Sequence, residues 1–271
     1  MTMPMQYALR RRMMMAALGS DIDVSALSIT YTGTYTDYGM VTMSDGARYR
    51  LLAFTASGTL SIEQPVNCEV CVVGGGANGL SGASGGVNTC AGGAGSYMKN
   101  QVIEAFDGGE VVVGAAQGAS SIGGVSVNAV SGKSGGTGGG GAYINSGGTG
   151  DGLSKYPFGD LNYELWSGKP HCAGGGGGGY DNDGQFGGGR GGSNGSNGDS
   201  FVSGTPYQGA GGLYGGGNGG PSQWNADHSG VSASYYGSGA GGGGRYNNSM
   251  GNGGFGYQGI VYIRIPEDQA A

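Results

Sequence analysis

Charge is scarce in this chain. Of 271 residues, 12 are Lys or Arg and 18 are Asp or Glu, so charged side chains make up 11% where an ordinary domain carries about 25%. With a net charge of -6, the basic surface that a nucleic-acid partner requires is absent, and nucleic acid is excluded as the main partner. No stretch approaches the roughly 20 apolar residues of a membrane span. The only histidines are His171 and His228, both in loops between glycine runs, and no nucleophile–base–acid set stands out. The expectation is a protein without catalytic residues. Four cysteines remain: Cys68, Cys71, Cys90 and Cys172. Cys68-x-x-Cys71 falls in a predicted strand, where residues three apart face opposite sides. A metal site completed by Cys90 and by His171 or Cys172 would lack a second CxxC. Buried thiols are the simpler reading, with no metal and no cofactor.

Proline is also sparse, at 7 residues, which excludes collagen together with the contiguous rather than every-third spacing of glycine. Glycine is what the chain has instead: 69 residues, when about 7% is usual. The longest run is 174–179; others lie at 135–141 (broken by Thr137), 187–192 (broken by Arg190), 215–220 (broken by Asn218) and 239–244 (broken by Ala240). Gly/Ser-rich chains are commonly flexible coils, but such coils are poor in aromatics. Here Tyr143, Tyr180, Phe186, Phe201, Tyr207, Tyr214, Trp224 and Tyr246 recur between the runs.

The reading adopted is a bundle of polyglycine II helices, left-handed rods with three residues per turn and a rise of about 3.1 Å per residue. Such a rod has no internal hydrogen bonds, so its N–H and C=O groups must pair with neighbouring rods. Ordering a residue costs about 1–2 kcal/mol, and one hydrogen bond returns about 0.5–1.5 kcal/mol. A lone rod therefore loses, while a fully paired lattice anchored by apolar ends can stand.

Along the chain, residues 1–20 read as an N-terminal helical docking segment, with Met5, Leu9 and Met13 at i, i+4 spacing. Arg10–Arg12 before a short apolar stretch resembles a signal peptide, but no cleavage site follows. Residues 21–130 read as a β-sandwich-like region carrying the first glycine runs. Its strands are expected at 28–32, 40–43, 49–54, 59–63, 68–73, 98–106, 110–114 and 125–130, with turns at Asp45-Gly46 and Asp107-Gly108-Gly109. Residues 131–256 form the polyglycine II bundle with aromatic loops, and 257–271 the closing strand (260–265) and tail. The fold class is thus mainly β: a β-sandwich base framing packed polyglycine II helices.

Three glycine motifs imitate chemistry. Gly74-Gly75-Gly76-Ala77-Asn78-Gly79 matches G-x-G-x-x-G after a strand, but 80–86 is too glycine-rich for the helix that a dinucleotide site needs. Gly132-Lys133-Ser134 ends like a P-loop with Val127 at the required upstream glycine. Asp181-Asn182-Asp183-Gly184 reads as a solvated turn.

The segment from Tyr49 to Leu60, the stretch Val72-Val73-Gly74-Gly75-Gly76, the repeated glycine runs and the closing Gly259-Ile260-Val261-Tyr262-Ile263 together resemble the glycine-rich domain of bacteriophage tail-fibre adhesins and related virion proteins. The resemblance spans roughly 45–265. It implies a non-enzymatic receptor-binding adhesin of the virion tail fibre, in which loops on a rigid polyglycine scaffold contact a bacterial surface receptor, either an outer-membrane protein or a glycan. Other tail-fibre proteins are implied as partners. The alternative is a structural virion or cell-surface protein whose loops bind neighbouring subunits.

Loops carry function when a rigid scaffold holds them, and loops rich in Tyr, Trp, Asn and Ser make low-entropy contact sets. The receptor-binding candidates are Tyr156, Phe158, Tyr163, Trp166, Tyr207, Trp224, Asn225, Asp227, His228, Tyr235, Tyr236 and Tyr246.

Overall fold

A computed structural model of the chain describes residues 22–82, 90–132, 156–178, 180–181, 211, 214–221, 227–246 and 248–269. The expected N-terminal helix and the glycine runs at 135–141 and 187–192 lie outside the described residues. What is described is mainly β, organised around one large antiparallel sheet.

The sheet contains β1 (Ile29–Tyr31), β2 (Tyr35–Thr42), β3 (Arg48–Phe54), β4 (Gly58–Val73), β5 (Met98–Val112), β6 (Ser120–Ile122), β7 (Val125–Val127) and, from the far end of the chain, β11 (Ile260–Pro266). The order is β2-β3-β11-β4-β5-β6-β7, with β1 pairing β4. Short two-residue strands β8 (Tyr180–Asp181), β9 (Arg245–Tyr246) and β10 (Ser249–Met250) form a separate three-stranded sheet. The large sheet is continuous rather than split in two. It coils, so that β6 comes against both β4 and β11.

Both faces of its centre are buried, which is why 68–73 reads as an apolar run broken only by Glu69. Val70 and Val72 join Leu52, Phe54, Val261 and Ile263 in one core; Cys71 and Val73 join Leu51, Ala53, Ile260 and Tyr262 in another on the opposite face. Strand β11 is buried along its whole length, as the last strand to arrive and the one between β3 and β4. Asp45-Gly46 turns the β2–β3 hairpin as expected, with Gly46 at φ +81 and its N–H donating to the Met43 carbonyl at 3.0 Å.

Asp107-Gly108-Gly109 does not turn. Strand β5 passes straight through it, Gly108 and Gly109 pairing with Ser61 and Leu60 of β4. The two glycines hold φ values of +125 and +132 and let β5 follow a shift of register opposite 61–66 of β4. Glycine thus serves as a bulge here, a use that the same dipeptide signal does not separate from a hairpin.

Among the described residues, seven extended segments project from this sheet: I (74–82), II (90–96), III (172–178), IV (214–221), V (227–234), VI (237–244) and VII (251–259). Segment I continues β4 and VII leads into β11. Segments III, IV and VI each start on a left-handed residue: Cys172 (φ +61), Tyr214 (φ +69) and Gly237 (φ +69).

Their hydrogen bonds follow a three-residue rotation. The N–H groups of 239, 240 and 241 donate to Ala173 of III, Ala77 of I and Val231 of V. Those of 242, 243 and 244 repeat the order, to Gly176, Leu80 and His228. The carbonyls of segment VI rotate likewise. Those of Gly237, Ser238 and Gly239 accept from Ser96 of II, Tyr257 of VII and Gly217 of IV; those of Ala240, Gly241 and Gly242 accept from Gly93, Gly254 and Gly220. Segment VI is therefore bonded to all six others.

The six also bond to each other in a closed ring. Ala77 N–H reaches Ala94, Gly175 reaches Gly93, Gly176 reaches Gly217, Val231 reaches Asn218, Gly230 reaches Asn252, and Gly79 reaches Gly254. At most axis positions the approach excludes a side chain: a Cβ on Gly241 would stand 1.7 Å from the Asn218 carbonyl oxygen, although the Ala240 methyl is accommodated, fully buried. The registers make I, III, IV and VI run away from the sheet, while II, V and VII return.

Side chains survive where the segments face outward. In VII, Asn252 and Phe255 are exposed three residues apart, whereas Gly251 and Gly254 are buried against V. At this rim, side chains cap outward N–H groups: Asn78 Oδ1 accepts from Gly256 at 2.9 Å and Ser232 Oγ from Phe255 at 3.0 Å.

Candidate functional site

The segments have two ends, and the candidate residues divide between them. At the sheet end, a 3-10 turn at Pro157–Gly159 and the turns after it fold onto the second core. Trp166 is fully buried there, its Nε1–H donating to the Asp160 carbonyl, with its ring 4.8 Å from Tyr163 and 5.5 Å from Tyr262. Tyr163 is 7% exposed, and Tyr156 and Phe158 pack partly buried against the same core. These four were expected to contact a receptor. Trp166 and Tyr163 instead close the lower face of the sheet, because a sheet buried on both sides needs large rings to cover it.

Phe158 has a second role. The Arg264 guanidinium lies between the rings of Tyr49 and Phe158, 4.5 Å from each centroid, and binds Glu69 Oε2 through Nη2 at 2.6 Å and Nε at 2.9 Å. Asp160 ties this loop to the β2–β3 hairpin. Its carboxylate accepts from the Ser44 N–H and hydroxyl and from the N–H groups of Asn162 and Tyr163. Burial alone would raise its pKa; these hydrogen bonds hold it below the usual value.

Tyr235 and Tyr236 also lie at the sheet end, partly exposed, over the fully buried His171. The His171 ring lies 4.9 Å from Tyr235 and stacks at 6.0 Å on Tyr236. Burial pushes the His171 pKa down to about 3, so the ring is neutral, and burial raises the phenols of Tyr262 and Tyr235. The neutral histidine is enclosed by protonated tyrosines and packs the seam between the sheet and segment III.

At the opposite end, Asp227 is exposed and His228 is 6% exposed, with Nδ1 2.8 Å from the Pro221 carbonyl. Tyr246 sits partly buried in β9, beside exposed Ser249 and Met250 of β10. Tyr207, Trp224 and Asn225, and the docking candidates Met5, Leu9 and Met13, lie outside the described residues. The twelve receptor candidates therefore do not form one surface; the described members occupy both ends of the segments.

All four cysteines are buried, and none is in a disulfide. Among the described residues no group of three or more His, Cys, Asp or Glu is placed to hold a metal, and no helix is long and apolar enough to cross a membrane. Gly74–Gly79 lies in segment I and carries lattice hydrogen bonds. Sequence reasoning missed Tyr257, which continues the Tyr235–Tyr236 pair at 5.6 Å from Tyr236; at the three-residue repeat it is in phase with buried Gly251 and Gly254, so no local signal marks it as exposed.

Comparison with protein-family models, with curated proteins and with solved structures finds no match to this chain.

Proposed function

We propose that segments I–VII are packed polyglycine II helices and that the chain is a non-enzymatic adhesin of the phage tail-fibre type. The bundle is the rigid mount, and residues at its end away from the sheet contact an outer-membrane protein or glycan of a bacterium. The observation that carries the lattice is the three-residue rotation of hydrogen bonds from segment VI to six neighbours, which is the helical repeat of polyglycine II. The adhesin reading is supported by the resemblance of framing strands and glycine runs, and by where the chain crosses over. Segments V and VII begin, and I, III, IV and VI finish, at the end remote from the sheet, so several connections gather there on a scaffold with little freedom.

The test is adsorption. Labelled protein is applied to a panel of bacterial strains, with and without protease stripping of their surfaces, and bound protein is counted. Saturable binding to some strains, weakened by Met250→Asp and Asp227→Ala at unchanged melting temperature, supports the reading. Absence of binding to any strain, or release of soluble glycan by the purified protein, overturns it.

A further inference from the structure

Three Asn-Gly pairs lie among the described residues: Asn78-Gly79 in segment I, Asn218-Gly219 in IV and Asn252-Gly253 in VII. Asparagine before glycine is prone to cyclise, because a residue without Cβ leaves its backbone nitrogen unshielded. The nitrogen must reach the asparagine Cγ, which requires the intervening peptide to turn and the side chain to be free. Hydrogen bonds that hold either group must open first.

The lattice holds the three pairs unequally. Three bonds guard Asn78: Gly79 N–H donates to the Gly254 carbonyl at 3.0 Å, Gly256 N–H donates to Asn78 Oδ1 at 2.9 Å, and Asn78 Nδ2 donates to Gln117 Oε1 at 3.0 Å. Two guard Asn218, whose carbonyl accepts from Val231 N–H at 2.8 Å and whose Oδ1 accepts from Gly211 N–H at 2.8 Å. The Asn252 side chain is exposed and makes no hydrogen bond to a described residue. Its carbonyl accepts from Gly230 N–H at 2.8 Å. Gly253 N–H reaches only Ser81 Oγ, at 3.4 Å, beyond the ordinary range for such a bond. Gly219 is buried, whereas Gly253 is partly exposed.

We infer that Asn252 is a site of spontaneous covalent modification, deamidating through a succinimide to aspartate and isoaspartate. The Gly253 nitrogen bonds to Asn252 Cγ and gives up its proton, and the side-chain amide leaves as ammonia. Water then opens the ring. Opening at Cγ restores the ordinary backbone and leaves an aspartate. Opening at the main-chain carbonyl leaves a chain that runs through Cβ and Cγ, one carbon longer. A lattice whose bonds rotate every three residues has no slack for that carbon. Gly254, bonded to Gly241 and Gly79, and Tyr257, bonded to Ser238 and Gly76, fall out of phase with segments VI and I. Segment VII also leads directly into β11, so the shift has no free end into which to run.

The experiment incubates the full chain at mildly alkaline pH, native and in urea, and follows each Asn-Gly pair by peptide mass spectrometry. Isoaspartate is counted with isoaspartyl methyltransferase. In the native protein Asn252 should convert severalfold faster than Asn218, with Asn78 slowest; in urea the three rates should converge. The isoaspartate-bearing fraction should melt below the parent, whereas Asn252→Asp, which adds the charge alone, should melt with it. Asn252→Gln, aged alongside, should yield no such lower-melting fraction. Equal native rates at the three pairs, earlier conversion at Asn78 or Asn218, or a lower-melting fraction that persists in Asn252→Gln overturns the inference. Asn194-Gly195 and Asn197-Gly198 lie outside the described residues and are followed as separate peptides.

Discussion

His171 Nε2 and the Tyr262 hydroxyl meet at 3.0 Å, joining the residue just before segment III to the central strand of the sheet. Both groups are buried, so this contact bolts the glycine segments to the sheet from inside.

Burial of this histidine makes folding sensitive to acid. The buried ring has its pKa pushed from 6.5 down to about 3, so the unfolded chain takes up the proton first. Stability is intact above pH ~6.5 and falls as pH drops from there towards 3, by roughly 1 kcal/mol per pH unit for this one group. Urea unfolding at pH 7, 5.5 and 4 should show it. In His171→Phe the slope over that window should flatten by one proton's worth, although the variant is less stable at pH 7 through the stranded Tyr262 hydroxyl.

Axis and rim should respond differently to substitution. Gly241→Ala puts a methyl where the Asn218 carbonyl oxygen lies, and should destabilise by about 3 kcal/mol or more. Phe255→Ala, at 70% exposure on an outward position, should change stability by less than about 0.5 kcal/mol. Thermal melting of the two variants beside the parent decides whether segment VI is the axis.

The Arg264–Glu69 pair, with side chains 10% and 17% exposed, is the main internal charge contact beneath the sheet. Glu69→Ala leaves the guanidinium enclosed without its counter-ion and should cost about 3 kcal/mol. Adding Arg264→Met should recover part of that loss. A double-mutant cycle by denaturant unfolding measures the coupling.

Rim capping should be visible in hydrogen exchange. Asn78→Ala removes the acceptor for the Gly256 N–H and should cost about 1 kcal/mol. The Gly256 amide should exchange faster than in the parent, while the Gly241 amide at the axis stays protected.

Thiol labelling tests the cysteines. Burial pushes the Cys68 pKa up to about 12 and raises Cys71 further, so neither forms thiolate at pH 8. Ellman's reagent should find no reactive thiol in the native protein and all four after unfolding.

Much of the sheet could be read from the chain. Residues 49–54 and 260–265 are apolar apart from Arg50 and Arg264, and both became central strands. Asp45-Gly46 kept its usual meaning. Asp107-Gly108-Gly109 did not, because glycine at positive φ serves a bulge as well as a turn. Residues 59–63 and 68–73 are one strand, β4; Pro65 sits at its register shift, where a missing N–H breaks no ladder bond. The aromatic loops were harder. Composition identifies Trp166 and Tyr235 alike as large rings between glycine runs, yet one covers a core and the other stands in a row at the surface. What separates them is the second apolar face of the sheet, a demand set by the whole topology and invisible in any local window.

The order in which the parts occur along the chain has a kinetic consequence. Segment VI, the axis of the lattice, and β11, the strand between β3 and β4, both lie beyond residue 236. A chain still emerging from the ribosome can hold every peripheral glycine segment but VII, and most of the sheet, while lacking both elements around which they are arranged. Before that point the outer segments lack their inward bonds, since each takes them from VI. Contacts between residues so distant in sequence form slowly, and the outer glycine segments lack their inward partners until segment VI is in place. Closure of the segments therefore waits on residues 237–266, and truncation ahead of β11 removes the centre of the sheet rather than its edge.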